Sequence, residues 1–596
     1  MNSKPKIKRG ESGASLIVAT CSLVFLIPMV GLAVDTGFLY SAKARLQMAV
    51  DGSSLAAARA LNLGATLQSQ QTAAAQNAVN WFWANFPSGV YATTGTVMNT
   101  TGATNTATGF SSPSVNIFPD SSNPQLDHVN VTATTKVPTW FMHWFGYSNI
   151  TIGAVGNATR RAVVVMLVLD RSGSMCMHNG SIHQPCDSTN TTYPCALMIQ
   201  AAKQFTGQFA PGRDYIGMVT FSTNTYVASV PTTDFQTALG YSNSAGSGTG
   251  AIDNITCAGG TNTAEGVSLG YQALYQTGLP GALNILMLET DGLPNSYTAN
   301  FYDSTHKVTA LSNSSSCKDT NGKTVSQAGS FVPSVSVPNP PSSTIPSWTT
   351  GLFLNQQPFN TTTGYYSNIP AGMIGVVYSD DPGGNNSFTY LFDYWSDKSR
   401  PPQNSQVNGS GSNPYNTNYY LSTNINAVTG CSFDGGTNGD TNPSDFRWFP
   451  AADVFGNSAN PANAFKSVTL DAQGHVLQSG SNPGNYNNFH NAALNITDNA
   501  AYVARANPTI PAYVFAIGLG GNSATGPPDP ILLQRMANDP AGDLFNASPY
   551  YSACAQEPGC ITYSSQYQGK FVYSPTSSQL NSAFLALSSQ ILRLNQ

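Results

Sequence analysis

Charge is what this sequence has least of. Only 24 Lys+Arg and 29 Asp+Glu occur in 596 residues, 9% of the chain, against roughly 25% in an ordinary soluble domain. The deficit is filled by Asn, Ser, Thr and Gly and not by an apolar surplus. Hydrophobic residues stand at 41%, which excludes a multi-span membrane protein. Basic charge in excess is also missing, the formal net charge being -5. A nucleic-acid footprint is thereby excluded, because neutralising phosphates takes clustered Lys and Arg. Histidine is sparse as well, at 7 residues, and neither His178 nor His183 holds a position that demands a general base. Long hydrophobic runs are lacking beyond the N-terminus. What remains is a chain long enough for three or four domains at about 150 residues each.

The single long apolar run is Ala14 to Val34. At about 1.5 Å per residue it extends about 31 Å, the thickness of a bilayer's hydrocarbon. It predicts one transmembrane helix. Lys4, Lys6, Lys8 and Arg9 precede it, so the positive-inside bias predicts a cytoplasmic N-terminus with the remainder periplasmic or extracellular. A cleaved signal peptide is the rival reading, with Gly31-x-Ala33 as a small-x-small site, but its apolar core is usually roughly 7 to 15 residues. Pro28 is tolerable inside such a helix. Of nine cysteines, Cys21 lies in the run; Cys176, Cys186, Cys195, Cys257, Cys317, Cys431, Cys554 and Cys560 lie elsewhere. An even number outside the run fits disulfides and an oxidising compartment.

Ala-rich sequence with helical spacing continues from Val34 to Leu61 and predicts that the helix leaves the bilayer intact. Within it stand Val34, Asp35, Gly37 and Tyr40, then Leu46, Gln47, Ala49 and Asp51. In this order they resemble the "VD-x-G-x-x-Y" and "LQ-x-A-x-D" of TadE/TadG-like proteins of the Tad (Flp) pilus assembly system. Five residues after Gly10 stands Ser15, where a prepilin peptidase site would want Glu. The stretch from Tyr91 to Asn116 reads as loop or linker, followed by strand-like runs at His128 to Val137 and Ile150 to Val155. Between those runs, Trp140, Phe141, Trp144 and Phe145 are expected to be buried packing, with a partner surface as the alternative.

Ala162 to Leu169 (AVVVMLVL) is a strand of the kind buried on both faces of a parallel sheet. It ends in Asp170-Arg171-Ser172-Gly173-Ser174, where open α/β sheets place their sites. One carboxylate and two hydroxyls on a Gly-containing loop make a hard-oxygen donor set suited to Mg²⁺. A helix from Ala196 to Phe209, a strand from Tyr215 to Phe221, a helix opened by Gly259-Gly260-Thr261-Asn262-Thr263, and a strand from Leu283 to Leu288 ending at Asp291 continue the alternation. These residues resemble the von Willebrand factor type A domain and its metal-ion-dependent adhesion site. Its D-x-S-x-S, loop Thr and later Asp correspond to Asp170, Ser172, Ser174, Thr261 and Asp291. The resemblance implies Mg²⁺, with Mn²⁺ or Ca²⁺ as substitutes, bound directly by the three hydroxyls and through waters by the two carboxylates. One coordination position is left for an acidic group of a partner.

The closing elements are expected at Ala512 to Leu519, Ile531 to Ala537, Lys570 to Tyr573 and a helix from Ser578 to Leu594. The expected organisation is therefore α/β: cytoplasmic residues 1–13, a transmembrane helix at 14–34, a helical extension at 35–85, and a linker with a small β module at 86–160. A Rossmann-like type A domain with a mostly parallel central sheet follows in two parts, 161–296 and 488–596, around a loop-rich insertion at 297–487. That length is too great for a structureless loop within a compact domain. Cys176, His178, His183 and Cys186 have the ligand types of a zinc site, but in an oxidising compartment a disulfide among Cys176, Cys186 and Cys195 is the simpler reading; Cys554 with Cys560 would close another loop. Gly266-x-Ser268-x-Gly270 fits a nucleophile elbow only formally, since Ser268 falls within a predicted helix. Asp380, Asp381, Asp434 and Asp440 are loop acids more in keeping with solvated turns than with Ca²⁺. The function expected is non-enzymatic: a membrane-anchored protein of pilus assembly or surface adhesion that binds a protein partner's carboxylate through Mg²⁺, without nucleic acid or small-molecule substrate. The alternatives are a structural, minor-pilin-like subunit in which the metal only stabilises the fold, and a metal-dependent hydrolase.

Overall fold

The computed structural model describes residues 12–99, 116–222, 225–240, 250–300, 448–477, 487–520, 528–540 and 563–594, with short gaps at 124, 454 and 471–473, and four short strands between 355 and 393. It divides into two compact units, residues 1–161 and 162–595.

The first unit is organised on one helix, α1 (Ser12–Ala60), which runs through Pro28 without a break. From Leu16 to Val34 its large apolar side chains are exposed, and the helix is long and apolar enough to cross a membrane. Beyond Val34 one stripe becomes buried. Leu46, Ala49, Val50, Ala57 and Leu61 pack with Ala74, Ala78 and Phe82 of α2 (Leu67–Asn85) and with Val129, Val131 and Ala133 of a sheet. The sheet comprises β1 (Thr94–Asn99), β2 (Asn116–Pro119), β3 (Leu126–Pro138) and β4 (Asn149–Arg161), all pairing antiparallel with β3. Small residues let the layers close in: a Cβ added at Gly156 would strike the Val50 carbonyl. Arg160, fully buried, donates from Nε and Nη2 to Asn62 Oδ1 (3.0 and 2.7 Å) and so ties the end of the hairpin to the residues just after α1.

Two expectations are corrected here. Part of the stretch expected to be linker, Thr94–Asn99, is a strand, because pairing with β3 (Thr94 opposite Lys136, Val97 opposite Thr134) satisfies its backbone in spite of its weak pattern. The aromatic patch is not buried. Trp140 is 62% and Trp144 86% exposed, since the patch occupies the tip of the β3–β4 hairpin beyond the reach of the helices' core.

The second unit has a six-stranded sheet built from β5 (Val163–Asp170), β6 (Tyr215–Phe221), β7 (Thr225–Thr232), β8 (Leu283–Thr290), β9 (Tyr513–Leu519) and β10 (Phe571–Ser574), in the order β10-β9-β8-β5-β6-β7. All neighbours are parallel except the edge pair β6 and β7. Successive residues of β5 feed two cores: Val164, Met166 and Val168 face one, Val163, Val165, Leu167 and Leu169 the other. The first core is covered by α4 (Thr263–Thr277), α5 (Asn487–Ala506) and α6 (Pro530–Ala537), the second by α3 (Pro194–Thr206) and α7 (Leu580–Leu594). Burial on both faces explains why β5 reads as one apolar run. The closing element expected at Ile531 to Ala537 is a helix, capped by Asp529, whose side chain accepts from the Ile531 and Leu532 amides.

Residues 448–477, which lie inside the stretch expected to be an insertion, contribute Phe455 and Phe465 to the first core. Arg535 clamps this segment, donating to Asn463 O (2.8 Å) and to the buried Asp498 carboxylate (2.6 Å). Asn457 Nδ2 donates to Ser268 Oγ at 2.9 Å and to Asp453 at 2.6 Å. Asp380, Asp381, Asp434, Asp440, Cys317, Cys431, Cys554 and Cys560 lie outside the described residues.

Burial raises the Asp453 carboxyl from 3.8 to about 7, against the opposing hydrogen bonds from Asn457 and Phe455. A carboxyl raised in the folded state stabilises fully below its unfolded pKa and loses that contribution as pH rises toward the folded value. Asp453→Asn is therefore expected to flatten the fall in stability between the two values and to raise the melting temperature at neutral pH. Thermal melts of both proteins across that range check this.

Candidate metal centre

Because β5 and β8 run parallel in register, with Leu288 opposite Val168 and Glu289 opposite Leu169, their carboxyl ends deliver Asp170 and Asp291 to the same place. Asp170 is held on both oxygens. Thr290 Oγ1 donates to Oδ2 at 2.6 Å, and the Ser172 amide donates to Oδ1 at 2.7 Å. The loop then turns tightly: Gly173 N donates to Gly259 O at 2.8 Å, and a Cβ on Gly173 would collide with the Gln184 side chain. This turn presents two hydroxyls side by side, with Ser172 Oγ 2.8 Å from Ser174 Oγ. Ser174 Oγ donates to Asp291 Oδ1 at 2.6 Å, and Ser172 Oγ lies 3.5 Å from the same oxygen.

Thr261 comes from the loop that opens α4. Its amide donates to Asn295 Oδ1 (2.7 Å), its carbonyl accepts from Asn295 N (3.1 Å), and Asn262 caps the helix by accepting from Glu265 N. Gly292 leaves room above these groups. A Cβ placed there would lie 3.5 Å from Thr261 Oγ1 and 3.6 Å from Ser174 Oγ. All five residues singled out from the sequence, Asp170, Ser172, Ser174, Thr261 and Asp291, thus meet at one point, and all are buried.

The electrostatics of this point are unfavourable without a counter-charge. Burial lifts the Asp170 carboxyl above its ordinary value, while hydrogen bonds from Thr290 and Ser172 oppose the rise. Glu289, fully buried beside them, is pushed well above the usual range by burial and then by the charges of Asp170 and Asp291. Among the described residues no side chain hydrogen-bonds either Glu289 carboxylate oxygen, and only the Asp170 backbone amide opposes the rise. The two carboxylates of Asp170 and Asp291 with the three hydroxyls of Ser172, Ser174 and Thr261 form an all-oxygen set that suits a hard divalent cation such as Mg²⁺, Mn²⁺ or Ca²⁺. The residues present therefore fit such a metal.

Two disulfides brace the loops from below. Cys176, two residues beyond Ser174, bonds Cys186; Cys257, four before Thr261, bonds Cys195. The backbones of Cys186 and Cys257 also exchange hydrogen bonds of 3.2 and 2.8 Å. This decides between disulfide and zinc at Cys176 and Cys186: the thiols are spent on each other, and the rings of His178 and His183 pack against Tyr193, each with centroids 6.1 Å apart. Sequence reasoning missed the partner of Cys195, and it missed Thr290, Asn295, Gln184 and Glu289. Of these only Thr290 and Glu289 carried a signal, as neighbours of Asp291 at a strand end. Ser268 lies inside α4, buried under Asn457, where no nucleophile elbow forms.

Residues 13–60 match the family described as putative Flp pilus-assembly TadE/G-like, and residues 165–293 match the von Willebrand factor type A domain, a span that includes all five site residues. No curated protein matches. Solved structures with a similar chain include the pilus adhesin SpaC from Lactobacillus rhamnosus GG, at 11% identity and TM-score 0.29, covering 81% of this chain and 37% of SpaC. This chain thus aligns with little more than a third of that adhesin. The PilB minor pilin from Streptococcus sanguinis (11%, TM-score 0.28, 81% and 78% covered) is another. A third is the vWF domain of the type V pili tip protein Mfa5 from Porphyromonas gingivalis (15%, TM-score 0.30, 74% and 98% covered).

The Cys195–Cys257 bond closes a separation of 62 residues, for which chain entropy gives about 4 kcal/mol, whereas the shorter Cys176–Cys186 loop gives about 3 kcal/mol. Replacing Cys195 and Cys257 by Ser is expected to lower stability by about that larger amount and to loosen the Thr261 loop, so that a divalent cation offered to the site would bind at least about tenfold more weakly than to the wild type. Urea denaturation and calorimetric Mg²⁺ titration measure the two effects.

Proposed function

We propose that this is a membrane-anchored, non-enzymatic protein of Tad (Flp) pilus assembly or surface adhesion, which binds an acidic group of a protein partner through a divalent cation at the β5 and β8 ends. The observation that carries the reading is the convergence of Asp170, Ser172, Ser174, Thr261 and Asp291 on one point, behind an N-terminal segment that matches the TadE/G-like family. The three hydroxyls and two carboxylates would hold Mg²⁺, which when bound supplies a Lewis-acidic position for a carboxylate. Asp170 is kept in place by Thr290, and the Ser172–Ser174 turn is fixed by Gly259. The side chains thus need little reorganisation before a partner arrives.

The basic cluster before α1 favours a cytoplasmic N-terminus, with the chain beyond Val34 outside. A hydrolase would need a general base at the cluster, and the packing of His178 and His183 on Tyr193 speaks against their serving as one. One observation favours a second reading, a structural subunit in which the cation only stabilises the fold. Thr261 is 4% and Ser174 7% exposed, so a partner carboxylate would have a narrow approach.

Asp170→Ala is expected to abolish Mg²⁺-dependent partner capture by the full chain while leaving it folded, as read by pull-downs with and without chelator alongside thermal melts. Capture unchanged by the substitution would sink the carboxylate bridge. Under the second reading, chelation lowers the melting temperature and leaves capture as it was.

A further inference from the structure

The tip of the β3–β4 hairpin displays Trp140, Phe141, Trp144, Phe145 and Tyr147, and between Pro138 and Ser148 there is no Asp, Glu, Lys or Arg and one histidine, His143. Trp144 is 86%, Phe145 67%, Trp140 62% and Tyr147 59% exposed. A cluster of this kind is rare on a surface that meets only water. It is also not loosely hung. Asp35 accepts the backbone amides of Trp140, Phe141 and Met142 at 2.9, 3.0 and 2.7 Å. One turn earlier on the same face of α1, Phe141 lies against Gly31, where an added Cβ would collide with the Phe141 side chain. The tip is therefore locked to a fixed height on α1.

That height is informative. Asp35 is the first residue after the apolar run, and Gly31 lies three residues inside the run's end, about 4.5 Å along the axis. The aromatic tip thus sits level with the place where α1 leaves the hydrocarbon. This is where Trp and Tyr are favoured, with rings among upper acyl chains and polar atoms among headgroups. We propose that the β3–β4 tip is a second membrane contact, its aromatic side chains inserted into the interface of the leaflet from which α1 emerges. The partner is the lipid surface, and the inference rests on α1 crossing the bilayer. The tip and α1 together hold the first unit against the membrane at two points, so that it cannot swivel freely on a single helix.

The test uses the full chain reconstituted in phosphatidylcholine vesicles with a minor share of phosphatidylglycerol, carrying bromine shallow or deep on the acyl chains. Tryptophan emission of the wild type is compared with that of a Trp140→Phe, Trp144→Phe variant. The emission that the variant lacks is expected to be quenched by shallow bromine and shielded from aqueous iodide. Emission quenched by iodide and untouched by bromine would mean that the tip faces water or a protein partner, and would overturn the proposal. Trp144→Phe alone, at a position 86% exposed, gives the same comparison should the double variant misfold. Alkaline carbonate extraction reads the anchor separately: a chain that resists extraction while its tip is quenched only by iodide overturns the second contact and leaves α1 as a span, whereas a chain that is extracted overturns both.

Discussion

The second unit depends on the parallel register of β5 and β8. Once Leu169 stands opposite Glu289, two strand ends release their chains at the same height, and Asp170 and Asp291 must share one small volume. Burial raises the Asp170 carboxyl, and burial followed by the charges of Asp170 and Asp291 raises Glu289 beside them. The fold tolerates this because both strands are sealed by cores on their two faces, a gain spread over every residue from Val163 to Leu169. A favourable term distributed along the strands thus maintains an unfavourable one concentrated at their ends, as is common where function and stability conflict.

Around that constraint the loops are held by devices of different kinds. Side chains fix individual oxygens, as Thr290 does for Asp170 and Asn295 for the Thr261 amide. Covalent links fix the loops themselves through Cys176–Cys186 and Cys195–Cys257. The sparse charge of the chain is consistent with this economy. Buried ions such as Asp498 with Arg535 are paired, and breaking one side of such a pair costs about 3–5 kcal/mol. Most remaining polarity is neutral: the Asn495 side chain donates to the Ala459 and Lys466 carbonyls, and the Asn457 side chain donates to Ser268 and Asp453.

The first unit answers a different demand. Its helix faces two environments in turn, which explains why α1 exposes apolar side chains as far as Val34 and then buries a stripe from Ala42 onward. Asp35 marks the change. In the sequence it is one letter of a resemblance to TadE/TadG-like proteins; in the structure it is the acceptor that seats a hairpin more than a hundred residues away.

Apolar runs and strand-then-helix alternation were sufficient to reveal β5, β6, β8 and β9 with α3 and α4, because each depends on local spacing and on burial that leaves an apolar run. The long apolar helix was legible for the same reason. The full set of five oxygen donors came from the resemblance to the von Willebrand factor type A motif, and α5 between β8 and β9 was not foreseen. Other features depended on partners distant in sequence. Thr94–Asn99 is a strand because β3 is beside it, Cys195 finds Cys257 because two loops cross, and Phe455 and Phe465 join a core whose other members lie far along the chain. The aromatic tip shows the difference most clearly. Its composition favoured burial, and only the length of the β3–β4 hairpin carried it past the core formed with α2 to the part of α1 around Gly31 and Asp35. The sequence by itself determined the elements and the chemistry they carry; the tertiary structure decided which of them meet, because proximity across a hundred residues is set by strand register and packing and leaves no periodic trace in either segment alone.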